Sequence, residues 1–395
     1  MKIVHAISTL NTQSGGPSVA VLAMARTIAA LGHDIVIHAT DLGLARDAVP
    51  QSGDVGAGRL QIHIHRHGPF PSLTRNASIG LWKGLARDIP SADVVHLHSL
   101  YMFHDWATWR ECRKANVPYI LQPHGSLDPF MYRHHRARKA VAEILFQNRV
   151  TRDATLIHYT SEMERDLAKP YVYGRPAAVA PNGVMLDSFK SLPSPALFRA
   201  KYPEIGQRKI VLFLGRLYFK KGLDIVIPAI AEAVRQREDL HLVLAGHDSG
   251  FEAKARALTR KHGLERHTTF TGHLELDAML EALAAADLFV LPSRSENFGI
   301  AAAEAMAAGV PSILSDKVHI AAAAAAQGAC RIAPLVVSSW TEAILDLLSR
   351  PDNAKAMAVR AREYAHSTYS WQSVANDLLE MYQRAIELYR NKAPS

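Results

Sequence analysis

The sequence predicts an α/β protein built from two parallel-sheet domains in tandem. Three observations carry this expectation. A chain of 395 residues is too long for one ordinary core and fits two domains of roughly 150–200 residues. Short apolar runs alternate with helical stretches from the N-terminus onward, as in β-loop-α-β units. The alternation pauses near residue 190, at "KSLPSPALFRAKYPEIGQR", and then begins again.

The elements follow in order. "KIVHAIS" reads as a first strand, "GGPSVAVLAMARTIAALGHD" as a helix closing near Gly32, and "IVIHAT" as a second strand. "ADVVHLHSL", "PYILQPHG" and "ATLIHYTS" repeat the theme of short apolar strands. After the pause, "KIVLFLGRL", "LHLVLAGH" and "DLFVLPS" are strands, and "GLDIVIPAIAEAVRQR" and "AMLEALAAA" are helices. "GIAAAEAMAAG" is a helix ended by Gly309, with Pro311 beyond it. The C-terminal "YSWQSVANDLLEMYQRAIELYR" is an amphipathic helix able to return to the first domain. The expected organisation is residues 1–190, then 191–368, with a C-terminal helix at 369–395. Ligands of such sheets sit at the carboxyl ends of strands, and two facing domains would bind between them.

Composition narrows the function classes. Hydrophobic content of 48% with 21% charged residues suits a soluble globular enzyme. Two cysteines, Cys112 and Cys330, make no disulfide framework, so a reducing, cytoplasmic setting is expected. The start "MKIVHAISTL" reads as a strand, not a signal peptide, and no run of about 18 apolar residues spans a membrane. The net charge of +8 suits an anionic partner: a phosphorylated substrate, a lipid surface or nucleic acid. No dedicated nucleic-acid motif is present, so nucleic acid is not expected. The alternating histidines of "QIHIHRHG" (His63, His65 and His67) read as an exposed polar strand face, and no metal is expected there.

Four stretches carry chemistry. In "SENFGIAAAEAMAAGVP" two acids, Glu296 and Glu304, bracket Gly299. Were the segment helical throughout, eight steps would separate them by about 12 Å, too wide for an acid/base pair across one sugar bond; Glu296 is expected in the loop after the strand and Glu304 about a turn inside the helix. The spacing suits two anchor points on one elongated ligand, with Gly299 allowing close approach and the helix N-terminus facing an anion. The competing reading is a helix capped by Asn297 with a solvated Glu304. In "FLGRLYFKKGLD", Arg216 follows a strand and Lys221 lies five positions on. Together they make a diphosphate clamp, or else a solvated basic loop. "NTQSGGPSVAV" puts Gly15 and Gly16 before a helix, an anion-receptive loop. In "LQPHGSLDPF", His124 ends a strand, either to donate to a substrate hydroxyl or as a satisfied core histidine. The following "MYRHHRARKAVAEILFQNRVTR" reads as a basic amphipathic helix for a membrane surface or an anionic substrate, or as a solvated basic face. Asp-x-Asp, G-x-x-x-x-G-K-[ST] and G-x-S-x-G patterns are absent, which argues against a metal–diphosphate site of that type, a P-loop and a serine-hydrolase elbow.

These stretches, in this order, resemble the retaining glycosyltransferase family 4 of the GT-B type, α/β with two Rossmann-like domains facing across a cleft. "ENFGIAAAE" is similar to its E-x7-E motif, "GRLYFKKG" to its Arg…Lys element, "SGGPS" to its glycine loop and "PHGSLDP" to its His-Gly. "APNGV" and "YSWQSVAN" also look like the family's, and the match covers nearly the whole chain. "PHGSLDPF" and "SDKVHI" look most like members that build bacterial exopolysaccharide or lipid-linked glycans.

The resemblance implies an N-terminal acceptor domain and a C-terminal nucleotide-sugar domain. It implies that Glu296 binds donor-sugar hydroxyls and Glu304 the ribose. Arg216 and Lys221 would hold the diphosphate, and His124 would contact the sugar near the reacting carbon. Gly15 and Gly16 would approach the phosphates and acceptor, and the backbone of Phe298, Gly299 and Ile300 the sugar and phosphate. The expected activity is metal-independent hexose transfer with retention, with no cofactor. The expected donor is GDP-mannose, GDP-fucose or a UDP-sugar, and the acceptor a glycan or polyprenyl-diphosphate-linked oligosaccharide. Peripheral attachment to the inner membrane surface goes with such an acceptor. The alternative is a GT-B-type nucleotide-sugar epimerase, which needs no acceptor.

Overall fold

A computed structural model describes residues 1–11, 16–44, 50–69, 75–133 and 136–391. The chain divides into two compact units, one of Met1–Gly183 with Trp371–Ser395, the other of Val184–Ser370.

In the first unit the strands are β1 (Lys2–Thr9), β2 (Asp34–Thr40), β3 (Gly53–Val55), β4 (Gly58–His65), β5 (Val94–His98), β6 (Tyr119–Gln122), β7 (Leu156–Tyr159) and β8 (Ala177–Val179). Among the described residues they form one sheet, ordered β3-β4-β2-β1-β5-β6-β7-β8. All neighbours are parallel except the β3–β4 pair. The strands read as continuous apolar runs because helices cover both faces. Helices α1 (Gly16–Ala30), α2 (Ile79–Asp88) and α3 (Phe103–Ala115) divide between the faces. Val4, Val95, Leu97 and Ile157 pack with Leu81 and Leu85 of α2 and Ala107 of α3. Ile3, Ile7, Val94, Ile120 and Leu156 pack with Val21, Met24 and Ile28 of α1.

The stretch after β6, expected as one basic helix over 131–152, is helical without interruption from Arg136 to Asp153 but widens in its middle. It forms α4 (Pro129–Arg133), α5 (Arg136–Ala142), a wide helical turn at Glu143–Gln147 and α6 (Asn148–Asp153). Helix α7 (Glu162–Ala168) follows β7.

The second unit holds α8 (Pro195–Lys201), β9 (Lys209–Leu214), α9 (Leu223–Gln236), β10 (Leu240–Ala245), α10 (Glu252–Lys261), β11 (Thr268–Gly272), α11 (Leu276–Ala285), β12 (Leu288–Leu291), α12 (Ile300–Ala307), β13 (Ser312–Ser315), α13 (Ala321–Ala326), β14 (Arg331–Ala333), α14 (Val337–Ser349) and α15 (Pro351–Thr368). Its sheet runs β11-β10-β9-β12-β13-β14, all parallel. That is the 3-2-1-4-5-6 order of a doubly wound sheet, with its switch point between β9 and β12.

The Pro-rich pause read as a linker lies inside this unit, which begins at Val184. Phe189, Phe198 and Ile205 are buried in its core, and the Val184 N–H donates to the Tyr369 carbonyl at 2.7 Å. The last helix, α16 (Trp371–Arg390), belongs to the first unit. Val374, Leu378, Met381, Tyr382 and Ala385 sit at helical spacing and join the core beside α1. Among the described residues, no helix is long and apolar enough to cross a membrane.

Candidate functional site

The switch point of the second sheet assembles most of the sequence-derived candidates. Arg216 lies in the loop after β9, and Glu296 in the loop after β12, on either side of that point. The β9 loop closes in a short 3-10 turn, Phe219–Lys221, and Gly222 (φ 71°) then caps α9. A methyl group at Gly222 would lie 1.9 Å from the Pro292 carbonyl oxygen, so the two loops touch through this glycine.

The loops are also fastened by polar groups that the sequence reading did not single out. Arg294 donates two hydrogen bonds of 2.8 Å, one to each carboxylate oxygen of Asp224. Its backbone N–H donates to the Lys220 carbonyl at 2.7 Å. A guanidinium matches a carboxylate in this forked way, which holds both loops in one geometry.

Lys221 does not stand apart as half of a clamp: its ammonium is paired with the Glu296 carboxylate. Both side chains are largely enclosed, at 11% and 16% exposure. Ser293 donates to the same carboxylate oxygen at 3.3 Å, and the Glu296 backbone bonds to Lys317 and His319 in the loop after β13. Burial by itself would raise the Glu296 carboxyl. The charge of Lys221, joined by Lys220, outweighs it and holds the group down at about 2. Glu296 is therefore an acceptor at neutral pH.

Lys221 also lies close to Gly215, the residue before Arg216; its Nζ is 3.7 Å from where a Gly215 side chain would begin. The Arg216 guanidinium lies 5.8 Å from the Tyr218 ring centroid. It makes no hydrogen bond or ion pair among the described residues. One cation is thus committed to Glu296 and the other is uncommitted.

Helix α12 begins only at Ile300, and its cap is Gly299 at φ 87°, not Asn297. Glu296 is therefore in the loop and Glu304 one turn inside the helix, where the strand–loop–helix reading expects them. The first N–H groups of α12 have no carbonyl of their own helix to bond. The Phe298 side chain is buried against the Tyr369 ring, with centroids 5.1 Å apart, so only its backbone can serve a ligand. Glu304 is partly buried and makes no hydrogen bond or ion pair among the described residues. Burial alone pushes its carboxyl up to about 7. A desolvated carboxylate with no partner among the described residues is a candidate ligand contact.

His124 and Gly16 lie in the first unit, and nothing groups them with the residues above. Gly16 opens α1. Gly15 lies outside the described residues. His124 follows β6 with φ 50°, and Gly125 follows with φ 75°. A bulky residue holds that conformation only where its surroundings impose it. Here the Gly125 N–H donates at 2.7 Å to the buried Glu164, which also accepts from the Thr160 N–H and hydroxyl. Burial lowers the His124 imidazole to about 3, with the neighbouring His158 adding to the effect.

His63, His65 and His67 do not form a solvated face. His65 Nε2 and Nδ1 of the buried His38 are 2.9 Å apart, and His63 stacks on His38 at 5.1 Å. Asp88 is 3.0 Å from the far nitrogen of His38, and His67 pairs with Asp41 at 2.6 Å. Alternation along one strand could not reveal these partners, which arrive from other elements.

Comparison with known proteins gives the family and the fold. The family model described as glycosyl transferases group 1 matches residues 196–364, and the glycosyl transferase 4-like domain matches residues 15–183. D-inositol 3-phosphate glycosyltransferase 2 of Catenulispora acidiphila is 26% identical over 95% of this chain and 91% of its own. GDP-mannose:cellobiosyl-diphosphopolyprenol alpha-mannosyltransferase of Xanthomonas oryzae pv. oryzae is 26% identical over 99% of this chain and 98% of its own. The structure of Anabaena HepE in complex with UDP and glucose superposes with a TM-score of 0.78 at 18% identity, covering 97% of this chain and 99% of that one. With two parallel-sheet units of GT-B type and both family models matched, the chain belongs to the group 1 glycosyltransferases of family 4.

Proposed function

We propose that this glycosyltransferase moves a hexose, with retention and without a metal, from a nucleotide-diphosphate sugar to a polyprenyl-diphosphate-linked or other glycan acceptor in polysaccharide synthesis. The observation that carries the reading is the switch point of the second unit. Arg216 and the Lys221–Glu296 pair lie in the β9 and β12 loops there, with Glu304 one turn inside α12, and among the described residues Arg216 and Glu304 make no hydrogen bond or ion pair. The relative named for GDP-mannose and a diphosphopolyprenol acceptor, matched over nearly the whole chain, supports a mannose donor and a lipid-linked acceptor. GDP-fucose and UDP-sugars offer the same diphosphate and ribose, and the HepE complex with UDP supports a nucleotide at this fold's site.

Each side chain has a role in this reading. Arg216 forks onto diphosphate oxygens, and Lys221 adds a second cation while staying bonded to Glu296. The N–H groups at Gly299 and Ile300 face the same anion. These fixed charges stabilise the diphosphate as it leaves, the work a metal would otherwise do. Glu296, held ionised, accepts from sugar hydroxyls. Glu304 accepts from the ribose hydroxyls, which relieves its desolvation. His124 donates to the donor sugar, and the resemblance assigns Gly15 and Gly16 to the phosphates and the acceptor. No carboxylate is placed as a covalent nucleophile, so same-face attack assisted by the departing diphosphate accounts for retention.

The test is transfer of labelled mannose from GDP-mannose to a polyprenyl-diphosphate-linked oligosaccharide, alongside thermal melts with GDP and with UDP. Bound nucleotide raises apparent stability. Full transfer by both Glu304→Ala and Lys221→Ala would refute the assignment. Sugar release without acceptor would select the epimerase reading.

An anionic, inner-membrane surface as partner is supported by the segment after His124. Val141, Ile144 and Leu145 are 55%, 79% and 65% exposed, among the exposed Arg133, Arg136, Arg138, Arg149 and Arg152. Apolar groups flanked by cations suit a headgroup layer. Flotation with anionic liposomes at low salt should carry the protein upward, and Ile144→Glu should reduce it. No flotation of the unmodified chain would count against the attachment.

A further inference from the structure

Beneath α16, on one face of the first sheet, lie five imidazoles. His5 on β1, His96 and His98 on β5 and His158 on β7 are fully buried, and His124 joins them from the end of β6. Burial keeps all five far below the usual histidine range: about 3 for His5 and His124, about 4 for His158, and well below it for His96 and His98. Each is therefore neutral, with one N–H and one lone pair. That restriction makes the protons assignable.

The first chain starts at a carbonyl, which only accepts. His158 Nε2 is 2.9 Å from the Ala180 carbonyl oxygen, so it carries the proton and Nδ1 accepts. His96 Nε2, 3.2 Å away, must donate to it. His96 Nδ1 then accepts from the Tyr382 hydroxyl of α16 at 2.9 Å.

The second chain reaches the proposed site. His98 Nδ1 is 2.9 Å from Gln122 Oε1 and 3.1 Å from His124 Nε2. His98 Nε2 is 2.9 Å from His5 Nδ1. With Gln122 presenting its oxygen, His98 Nδ1–H donates to both neighbours, and His98 Nε2 accepts from His5 Nδ1–H. The opposite amide orientation would aim two donors, from Gln122 and His124, at one His98 lone pair. Each orientation leaves one buried donor group without an acceptor, Gln122 Nε2 in the first and His5 Nε2–H in the second, so the crowding of two donors on one lone pair decides between them.

We propose that His98 is a positioning residue that locks His124 in its Nδ1–H form, so that this N–H, and not Nε2–H, meets the donor sugar. The proposal rests on the place of His124 given under Proposed function. The left-handed backbone at His124, anchored through Gly125 to Glu164, holds the ring from one side, and His98 holds it from the other. A ring fixed at both ends gives up little further freedom when substrate arrives.

The same geometry argues against a metal in this cluster. His5, His96 and His98 present nitrogens within 4.8 Å of one another. Every one of their lone pairs except that of His5 Nε2 is already engaged, and no carboxylate is among them.

The test is nitrogen-15 NMR of the full chain labelled at histidine, with the His124 signals identified from a His124→Ala variant. Protonated Nδ1 and unprotonated Nε2 are expected for His124. His98→Phe should release it to the mixture of an ordinary exposed imidazole and lower kcat about 10- to 100-fold with donor KM within about twofold. His98→Asn, which puts an amide N–H near the Nδ1 position, should restore the tautomer and most of kcat. A His124 found as Nε2–H in the unmodified protein would overturn the proposal. So would an unchanged tautomer in His98→Phe. The tautomer is read without any transfer reaction, so it stands or falls apart from the assigned activity.

Discussion

Replacing Glu304 by Gln should make the ligand-free protein more stable and the enzyme worse. The Glu304 carboxyl is raised by burial from the ordinary 4.5 to about 7 in the folded chain. Below pH 4.5 both folded and unfolded chains hold the proton, and the group has no effect on stability. Between 4.5 and 7 the unfolded chain releases it while the folded chain keeps it, so stability falls as pH rises through this window. Above 7 the penalty is complete. At about 1.4 kcal/mol per tenfold change in proton affinity it amounts to about 3 kcal/mol. For a unit the size of Val184–Ser370, that corresponds to a rise in Tm of about 6–12 °C at pH 9, taken as a ceiling. Near pH 4 the variant and the unmodified chain should melt together. Thermal melts across pH 4–9, each paired with a transfer assay, read both halves. Equal melting of the two proteins at pH 9 would refute the desolvation argument. Retained nucleotide binding in the stabilised variant would refute the role of Glu304.

Lys221→Met should leave the Glu296 carboxylate enclosed without its cation and cost about 3 kcal/mol in urea unfolding, with transfer lost. Adding Glu296→Gln should recover much of the stability and none of the activity. Glu296, held at about 2, should contribute its full stabilisation above pH 4.5 and lose it as pH falls through 2, so Glu296→Gln and the unmodified chain should converge in acid melts. Gly222→Ala should force the β9 and β12 loops apart, because a methyl there meets the Pro292 carbonyl at φ 71°. A loss above about 2 kcal/mol and of nucleotide-dependent stabilisation is expected in melts with GDP. Tyr382→Phe should cost about 1–2 kcal/mol by leaving His96 Nδ1 without its donor, measured by urea unfolding at constant slope.

Much of the fold was legible because parallel α/β chains alternate elements in sequence order, and most strands carry a short apolar run. The boundaries were less so. Proline and polar residues at 190–208 mark a turn-rich stretch, but only packing shows that Phe198 and Ile205 belong to the second core. The 131–152 stretch reads as one amphipathic helix because periodicity does not register a single wide turn at Glu143–Gln147. The candidate residues were legible as types at strand ends. Their pairings were not, since Lys221 and Glu296 are separated by 75 positions.

The sequence by itself determined two α/β units, a returning C-terminal helix and a set of acids, cations and glycines at the carboxyl ends of strands. These follow from local rules: burial pattern, capping, and the left-handed freedom of glycine. Only the tertiary structure decided which charges meet. It set Lys221 on Glu296, left Arg216 and Glu304 without a hydrogen bond or ion pair among the described residues, fastened Arg294 to Asp224 and joined five histidines into hydrogen-bonded chains. Ionisation and tautomer depend on distance and burial in space, and neither is written in the spacing of residues along the chain.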